Sequence, residues 1–150
     1  EDWRFVLLVD PETIGINGEH EIRAFADSPG MPQELTDALC RIALTEIGPA
    51  FAECDHRSAA RALDEYGNRV GRYFSEVQGG TFSSPDVGRV VAQLRFDGIT
   101  QTSWGPTCSV LCSGTSTATA IENRVNSING NVKATVVQPL NTGERIAATG

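Results

Sequence analysis

No run of the sequence reaches the roughly eighteen apolar residues that a membrane-crossing helix needs, and the amino terminus lacks the basic then apolar pattern of a signal peptide. These absences predict a soluble, cytoplasmic protein with no membrane partner. Cysteine is scarce, four in 150 residues, too few to staple a secreted scaffold. Cys40 and Cys54 fall in helix-like text and Cys108 and Cys112 in strand-like text, so reduced thiols are expected. Positive charge is short: 12 basic residues face 19 acidic ones, a formal net charge of −7. Any face turned toward a polyphosphate backbone works against the field of the whole domain, which argues against nucleic acid as a partner. An initiator methionine is also missing. Glu1 is followed almost at once by the apolar run Trp3 to Val9, so the chain is expected to begin at a cut between domains rather than at a natural terminus. Internal repeats, low-complexity tracts and linkers are absent as well.

What is present is enough for one core. With 40% apolar residues, a chain of this length buries about 68–70% of its unfolded surface, and one compact domain is the expectation. Trp3 to Val9 is rich in aromatic and β-branched residues and stops at Asp10-Pro11, which predicts a buried central strand. Residues 13 to 28, with Gly15, Gly18 and the cluster Glu19-His20-Glu21, predict a loop leading into a short irregular element. Leu35, Ala38, Leu39, Ile42, Ala43 and Ile47 recur at helical spacing over 33–48. Asp55 caps a second helix carrying Ala59, Leu63, Tyr66, Val70 and Phe74. In that helix Gly67 and Gly71 lie one turn apart, which implies a closely packed neighbour or a weak helix end, because glycine costs about 1 kcal/mol there relative to alanine. Ser84-Pro85 opens a further helix striped by Val87, Val90, Val91 and Leu94. The text from Ile99 to Pro106 and then from Thr107 to Cys112 predicts two adjacent strands joined by a small-residue turn, followed by a helix with Ala118, Ile121, Val125 and Ile128. Asn129-Gly130 is expected to close that helix in a left-handed stop, ahead of a last strand at Val132, Ala134 and Val136. The order predicts an α+β fold, a ferredoxin-like split β-α-β sandwich with extra helices in the first crossover and helices over one face of a mostly antiparallel sheet.

The most specific chemistry lies in Gln101-Thr102-Ser103-Trp104-Gly105-Pro106-Thr107, where small hydroxyl residues and a glycine surround one large aromatic between two strands. Glycine admits a ligand close to the backbone, hydroxyls and amides can bond an anion, and Pro106 biases Gly105 away from helical conformation. The same spacing suits a tight turn pinned by a buried tryptophan. Glu21 is a candidate general base or metal ligand, or one residue of a solvated loop. His56, just inside a helix start, reads as a surface residue. Cys108 and Cys112 share a strand face but lack a second ligand pair, so no zinc site is expected.

The segment resembles the third conserved motif of the GHMP kinase superfamily, a glycine-rich turn of the carboxyl-terminal domain that faces the active-site cleft. Its Ser103-Trp104-Gly105-Pro106-Thr107 form is similar to the β-ribofuranosylaminobenzene 5′-phosphate synthases of tetrahydromethanopterin biosynthesis. Gly71 with Phe74, Gln78-Gly79-Gly80, Gly18 and Glu21 before Phe25, and the strand ending at Pro11 agree, so the resemblance spans about residues 3 to 112. Thr100 stands where that family has glycine and Thr102 where it has a second serine. The superfamily's amino-terminal phosphate loop, of the Gly-Leu-Gly-Ser-Ser type, does not occur.

The resemblance implies a carboxyl-terminal domain whose amino-terminal catalytic partner domain is missing. It implies a parent that condenses 4-aminobenzoate with phosphoribosyl pyrophosphate, releasing pyrophosphate and CO2, with Mg²⁺ on the leaving group. Catalytic residues are not assigned in this chain. Gln78, Gly79, Gly80, Gln101, Ser103, Trp104, Gly105, Thr107 and Glu21 are the implied substrate-binding positions, with Gln78 orienting a carboxylate or ribose hydroxyl and Trp104 stacking on the aromatic amine. Two alternatives stand beside this one: the carboxyl-terminal domain of an ATP-dependent GHMP small-molecule kinase, and a non-catalytic regulatory or dimerisation module. A homodimer formed through an apolar face is compatible with each.

Overall fold

Arg4–Val9 forms β1, the inner strand its composition predicts, flanked on both edges by hydrogen-bonded partners. The computed structural model describes residues 2–103, 105–128 and 130–140. After β1 come six helices: α1 (Gly18–Asp27), α2 (Gln33–Ile42), α3 (Gly48–Ala52), α4 (His56–Tyr73), α5 (Ser75–Gln78) and α6 (Pro85–Leu94). Then follow β2 (Ile99–Gln101), β3 (Cys108–Cys112), α7 (Thr115–Ser127) and β4 (Lys133–Val137). The sheet runs β2-β3-β1-β4, with every neighbouring pair antiparallel. The fold is therefore α+β, with its helices concentrated in the first crossover. Among the described residues no helix is long and apolar enough to cross a membrane.

Strand alternation sends successive side chains to opposite faces. Val6, Leu8, Ile99, Cys108, Val110, Cys112 and Ala134 meet Val87, Val90 and Leu94 of α6 and Ala118, Ile121 and Val125 of α7 in the main core. On the other face Phe5 and Leu111 pack with Trp3, Ala50, Ala59 and Leu63, so α3 and α4 cover part of that face too. The expectation of helices on one face only is corrected here. The extra helices of the first crossover fold back over the second face because Ala59, Ala60 and Ala62 give α4 a small-residue side that fits against the strands.

Other boundaries also differ from the sequence expectation. Residues 18–27 form a ten-residue helix with no buried residue, so the core imprinted no periodic stripe on them. The helix predicted over 33–48 continues through a π-turn at Ala43–Ile47 into α3. Cys54 lies in the turn before α4 with φ of 58°, outside any helix. α7 ends at Ser127, with Ile128 already extended and its N–H bonded to Val125 O at 2.9 Å. The expected stop at Asn129-Gly130 involves Asn129, which lies outside the described residues. Cys108 and Cys112 are buried free thiols, pushed by desolvation up to about 12 and about 11 respectively, so they stay protonated and serve as core residues.

Two polar arrangements fix the frame. Asp10, buried at the end of β1, accepts from the hydroxyls of Thr13 at 2.6 Å and Ser84 at 2.7 Å and from Glu12 N–H at 3.0 Å. Ser84 in turn caps α6, accepting from Val87 N–H at 3.1 Å. One carboxylate thus ties the first strand to the start of the core helix. The second arrangement guards the sheet edge. Thr135 faces β1, so the antiparallel alternation points the N–H groups of Ala134 and Val136 outward. There Ala134 N–H donates to Asn126 Oδ1 at 3.0 Å, Asn126 Nδ2 donates to Ala134 O at 3.2 Å, and Val136 N–H donates to Glu122 Oε1 at 3.0 Å. These side chains take the place of a further strand and deny the edge to another chain.

The Thr13 and then the Ser84 hydroxyl hold the Asp10 carboxyl below its ordinary value. Its stabilising contribution is therefore complete above an unfolded carboxyl value of about 3.9 and is lost as pH falls through the lower folded value. Asp10→Asn is expected to lower unfolding free energy by on the order of 1–2 kcal/mol at pH 7. In urea melts across pH 7 to 3 the gap to wild type should close below about pH 4. A gap independent of pH would contradict the role given to the charge. Asn126→Ala with Glu122→Ala should leave the fold intact but raise self-association in sedimentation experiments, since two outward N–H groups are uncovered.

Candidate functional site

α4 approaches the edge of the sheet more closely than side chains normally allow. A Cβ on Gly67 would sit 2.7 Å from Thr100 Oγ1 and 3.1 Å from Thr100 Cβ, and one on Gly71 would sit 2.5 Å from Thr81 O. The glycine pair therefore marks a close neighbour and not a weak helix end. Asp64, one turn earlier, accepts from Ile99 N–H at 2.7 Å and fixes β2 against the helix. Burial holds this carboxyl above its ordinary value, and the nearby Asp97 adds to the rise. Thr100 fits because Gly67 opposite it has no side chain.

Between α4, the end of α5, β2 and the following turn lies a cavity of about 260 Å³. Three rings, Phe25, Tyr66 and Phe74, form much of its wall, with Val70 and the two glycines on the helix side and Thr100, Gln101, Ser103 and Gln78 opposite. Of the positions singled out by sequence, Gln78, Gln101 and Ser103 are brought together here. Gly79 ends α5 with φ of 84°, and Gly80 contributes a carbonyl to the Gln78 side chain. Gly105 and Thr107 belong to the turn but do not line the cavity. Glu21 lies in the first turn of α1 beside Glu19, where acidic side chains favour the positive end of the helix dipole, and is not part of the wall. Trp104 lies outside the described residues.

The two glutamines form a lock. Gln78 Nε2 faces the carbonyls of Gly80 at 2.9 Å, Thr81 at 3.0 Å and Gly71 at 3.4 Å, and its Oε1 accepts from Gln101 Nε2 at 3.0 Å. Gln101 Nε2 also donates to Ser103 O at 2.6 Å, while Gln101 Oε1 accepts from Ser83 N–H at 2.8 Å. Both amide groups have spent their donors. A carboxylate-orienting role for Gln78 conflicts with this geometry, because a carboxylate needs a donor. Each side-chain oxygen keeps a second lone pair, which suits acceptance from a hydroxyl or an amine. Ser83 Oγ donates to Gly105 O at 2.8 Å, and Thr102 N–H and Oγ1 both reach Thr107 O at 3.0 Å, closing the turn.

Strain in the turn falls on Ser103. Ser103 has φ of 65°, a left-handed conformation uncommon outside glycine, asparagine and aspartate. A Cβ built on Gly105 would lie 3.8 Å from Thr102 O, an ordinary contact distance. Tyr66 and Val70 were visible in the sequence only as part of a helical stripe, because an apolar stripe does not reveal whether it meets another side chain or a space.

Among the described residues no group of three or more histidine, cysteine, aspartate or glutamate side chains is placed to hold a metal ion. The cavity is walled by rings, glycines, hydroxyls and amides, without a charged side chain in its described lining.

The seam makes a double-mutant cycle informative. Gly67→Ala is expected to cost about 1–3 kcal/mol in chemical denaturation through overpacking against Thr100. In a Thr100→Gly background, which restores space at the contact, the same substitution should cost at least 1 kcal/mol less, the coupling expected of residues in direct contact, about 0.5–3 kcal/mol. Additive effects would place the strain elsewhere. Comparison of the chain with models of known protein families and with curated proteins gave no match.

Proposed function

We propose that the chain is the substrate-binding carboxyl-terminal domain of a GHMP-superfamily synthase that condenses 4-aminobenzoate with phosphoribosyl pyrophosphate, and that its cavity receives the aromatic amine. The carrying observation is convergence: Gly71, Phe74 and Gln78 from one motif segment and Gln101 and Ser103 from the other line a single cavity with Phe25. The strand order β2-β3-β1-β4, antiparallel throughout, supports a ferredoxin-like split β-α-β sandwich for this domain.

The chemistry of the wall supports one half of the substrate pair. Ligand pockets commonly measure about 300–1,000 Å³, so a space of about 260 Å³ suits a single ring. Phe25, Tyr66 and Phe74 offer edges and faces to that ring, and the spare lone pairs of Gln78 and Gln101 suit its amino group. A pyrophosphate is a poor fit. It calls for cations, a metal or a helix amino terminus, and the described lining has no cationic side chain. The carboxylates that usually anchor Mg²⁺ are likewise missing from the described lining, so the ion implied by the resemblance is a poor fit to this cavity. In this proposal the phosphoribosyl group and its metal are held by the partner domain, and this domain presents the ring to it.

Thermal shift of the full-length parent tests the assignment. With 4-aminobenzoate at a hundred times its dissociation constant the stabilisation should approach about 2.7 kcal/mol, and Gln101→Leu, which breaks the lock, should abolish it. Stabilisation by ATP alone would favour a small-molecule kinase, and none by any of 4-aminobenzoate, phosphoribosyl pyrophosphate or ATP would favour a non-catalytic module.

A further inference from the structure

A second chamber of about 250 Å³ lies beside the first, and Phe25 and Phe74 form part of both walls. The two rings meet edge to face with centroids 6.3 Å apart. Beyond them the second chamber is walled by Ser28, Pro29, Gly30, Met31 and Tyr73. Its described lining carries no charged side chain, and the Tyr73 hydroxyl is engaged with Pro29 O. A polar ligand finds little there, whereas an apolar chain finds Met31, Pro29 and the flank of Tyr73.

The divider is mounted on the element that is easiest to displace. None of the ten residues of α1 is buried, and Phe25 itself is 55% exposed. A helix this short is marginal by itself in water, so it depends on its contacts with the body. Elements with little buried apolar area open at low free energy. Moving α1 uncovers little that is now buried, while a shift of Phe25 joins the two chambers.

We propose that the Phe25–Phe74 contact is a gate and that the second chamber is a subsite for the apolar extension of a ring-containing ligand. This proposal rests on the first cavity being a ligand site. The ligand class is a single aromatic ring with a hydroxyl or amino donor for the glutamine oxygens and a short aliphatic chain elsewhere on the ring, a class beyond 4-aminobenzoate, whose carboxylate has no cationic partner in the second chamber's described lining.

The probes are phenol, 4-ethylphenol and 4-butylphenol, titrated by calorimetry into the wild-type protein and into Gly30→Leu. Gly30 lines the second chamber, has no atom within 4 Å of a built Cβ and is not left-handed, so the added side chain fills the chamber without straining the backbone. Wild type should bind about fourfold more tightly for each added methylene, the ratio given by about 0.8 kcal/mol per buried CH₂. In Gly30→Leu the affinity for phenol should be unchanged and the chain-length gain lost. An equal gain in both proteins overturns the subsite while leaving the first cavity standing as a ligand site. Failure of all three phenols to bind wild type removes the first cavity as a site for such rings, and the gate with it. Hydrogen exchange supplies a readout free of ligand: α1 amides should exchange at least tenfold faster than those of α4, and equal protection of the two helices overturns the gate.

Discussion

The close approach of α4 to β2 is the constraint from which the cavity follows. Gly67 and Gly71 let the helix axis come near enough for Thr100 and the Thr81 carbonyl to occupy the places their side chains would have taken. Helix propensity opposes two glycines in one helix, at about 1 kcal/mol each, so the sequence accepts a weaker helix in return for the contact. Tyr66, Val70 and Phe74 stand beside the glycines on the same side of the helix, and where these larger side chains meet the receding turn after β2 a space is left. Close packing at one end and an opening at the other are two results of one alignment.

The opening keeps its shape because polar groups around it are satisfied by one another. Gln78 and Gln101 bridge the end of α5, the connector at residues 80–83 and the turn after β2. Across the fold, Asp10 and Ser84 anchor that same connector to the end of β1. Chains of this kind raise the cost of moving any single member, because a displaced buried amide forfeits its partners without gaining water. The rigid wall of the cavity is therefore the side made by β2, its turn and the connector. The opposite side, α1, lacks both buried residues and a comparable network, so the site has one firm wall and one soft one.

Much of this was legible from the residues and some was not, for reasons that separate cleanly. β1, α4, α6 and β3 announce themselves because each packs an apolar stripe into a core, and Asp55 and Ser84 cap their helices as their positions suggest. α1 was hard to read since its larger apolar residues, Ile22 and Phe25, stay 69% and 55% exposed, and a stripe that meets no core has no fixed register to read. The layering was misjudged because alanines carry little hydrophobic signal, yet Ala59 and Ala60 decide that α4 lies on the second face. At the site, Gln78, Gln101 and Ser103 stood out as polar residues in turn-like text. Their geometry did not: that the glutamine donors are consumed internally, and that Ser103 carries a left-handed backbone, depends on contacts between segments more than twenty residues apart.

The charge of the molecule bears on what a wall built this way can hold. A domain of formal net charge −7 repels anions at long range, with a reach of about 8–10 Å at physiological salt. A site meant to hold a polyanion inside such a domain needs local cations to reverse that field, and the lining residues described here supply none. Rings and uncharged acceptors leave the field as it is and draw their selectivity from contact. The wall therefore favours the uncharged, donor-bearing end of a ligand and turns any anionic end outward, toward whatever surface faces the cavity's mouth. On that geometry a partner for an anionic group has to come from outside the cavity's described lining, and the orientation of any ligand the cavity took would follow from the wall before any catalytic group is named.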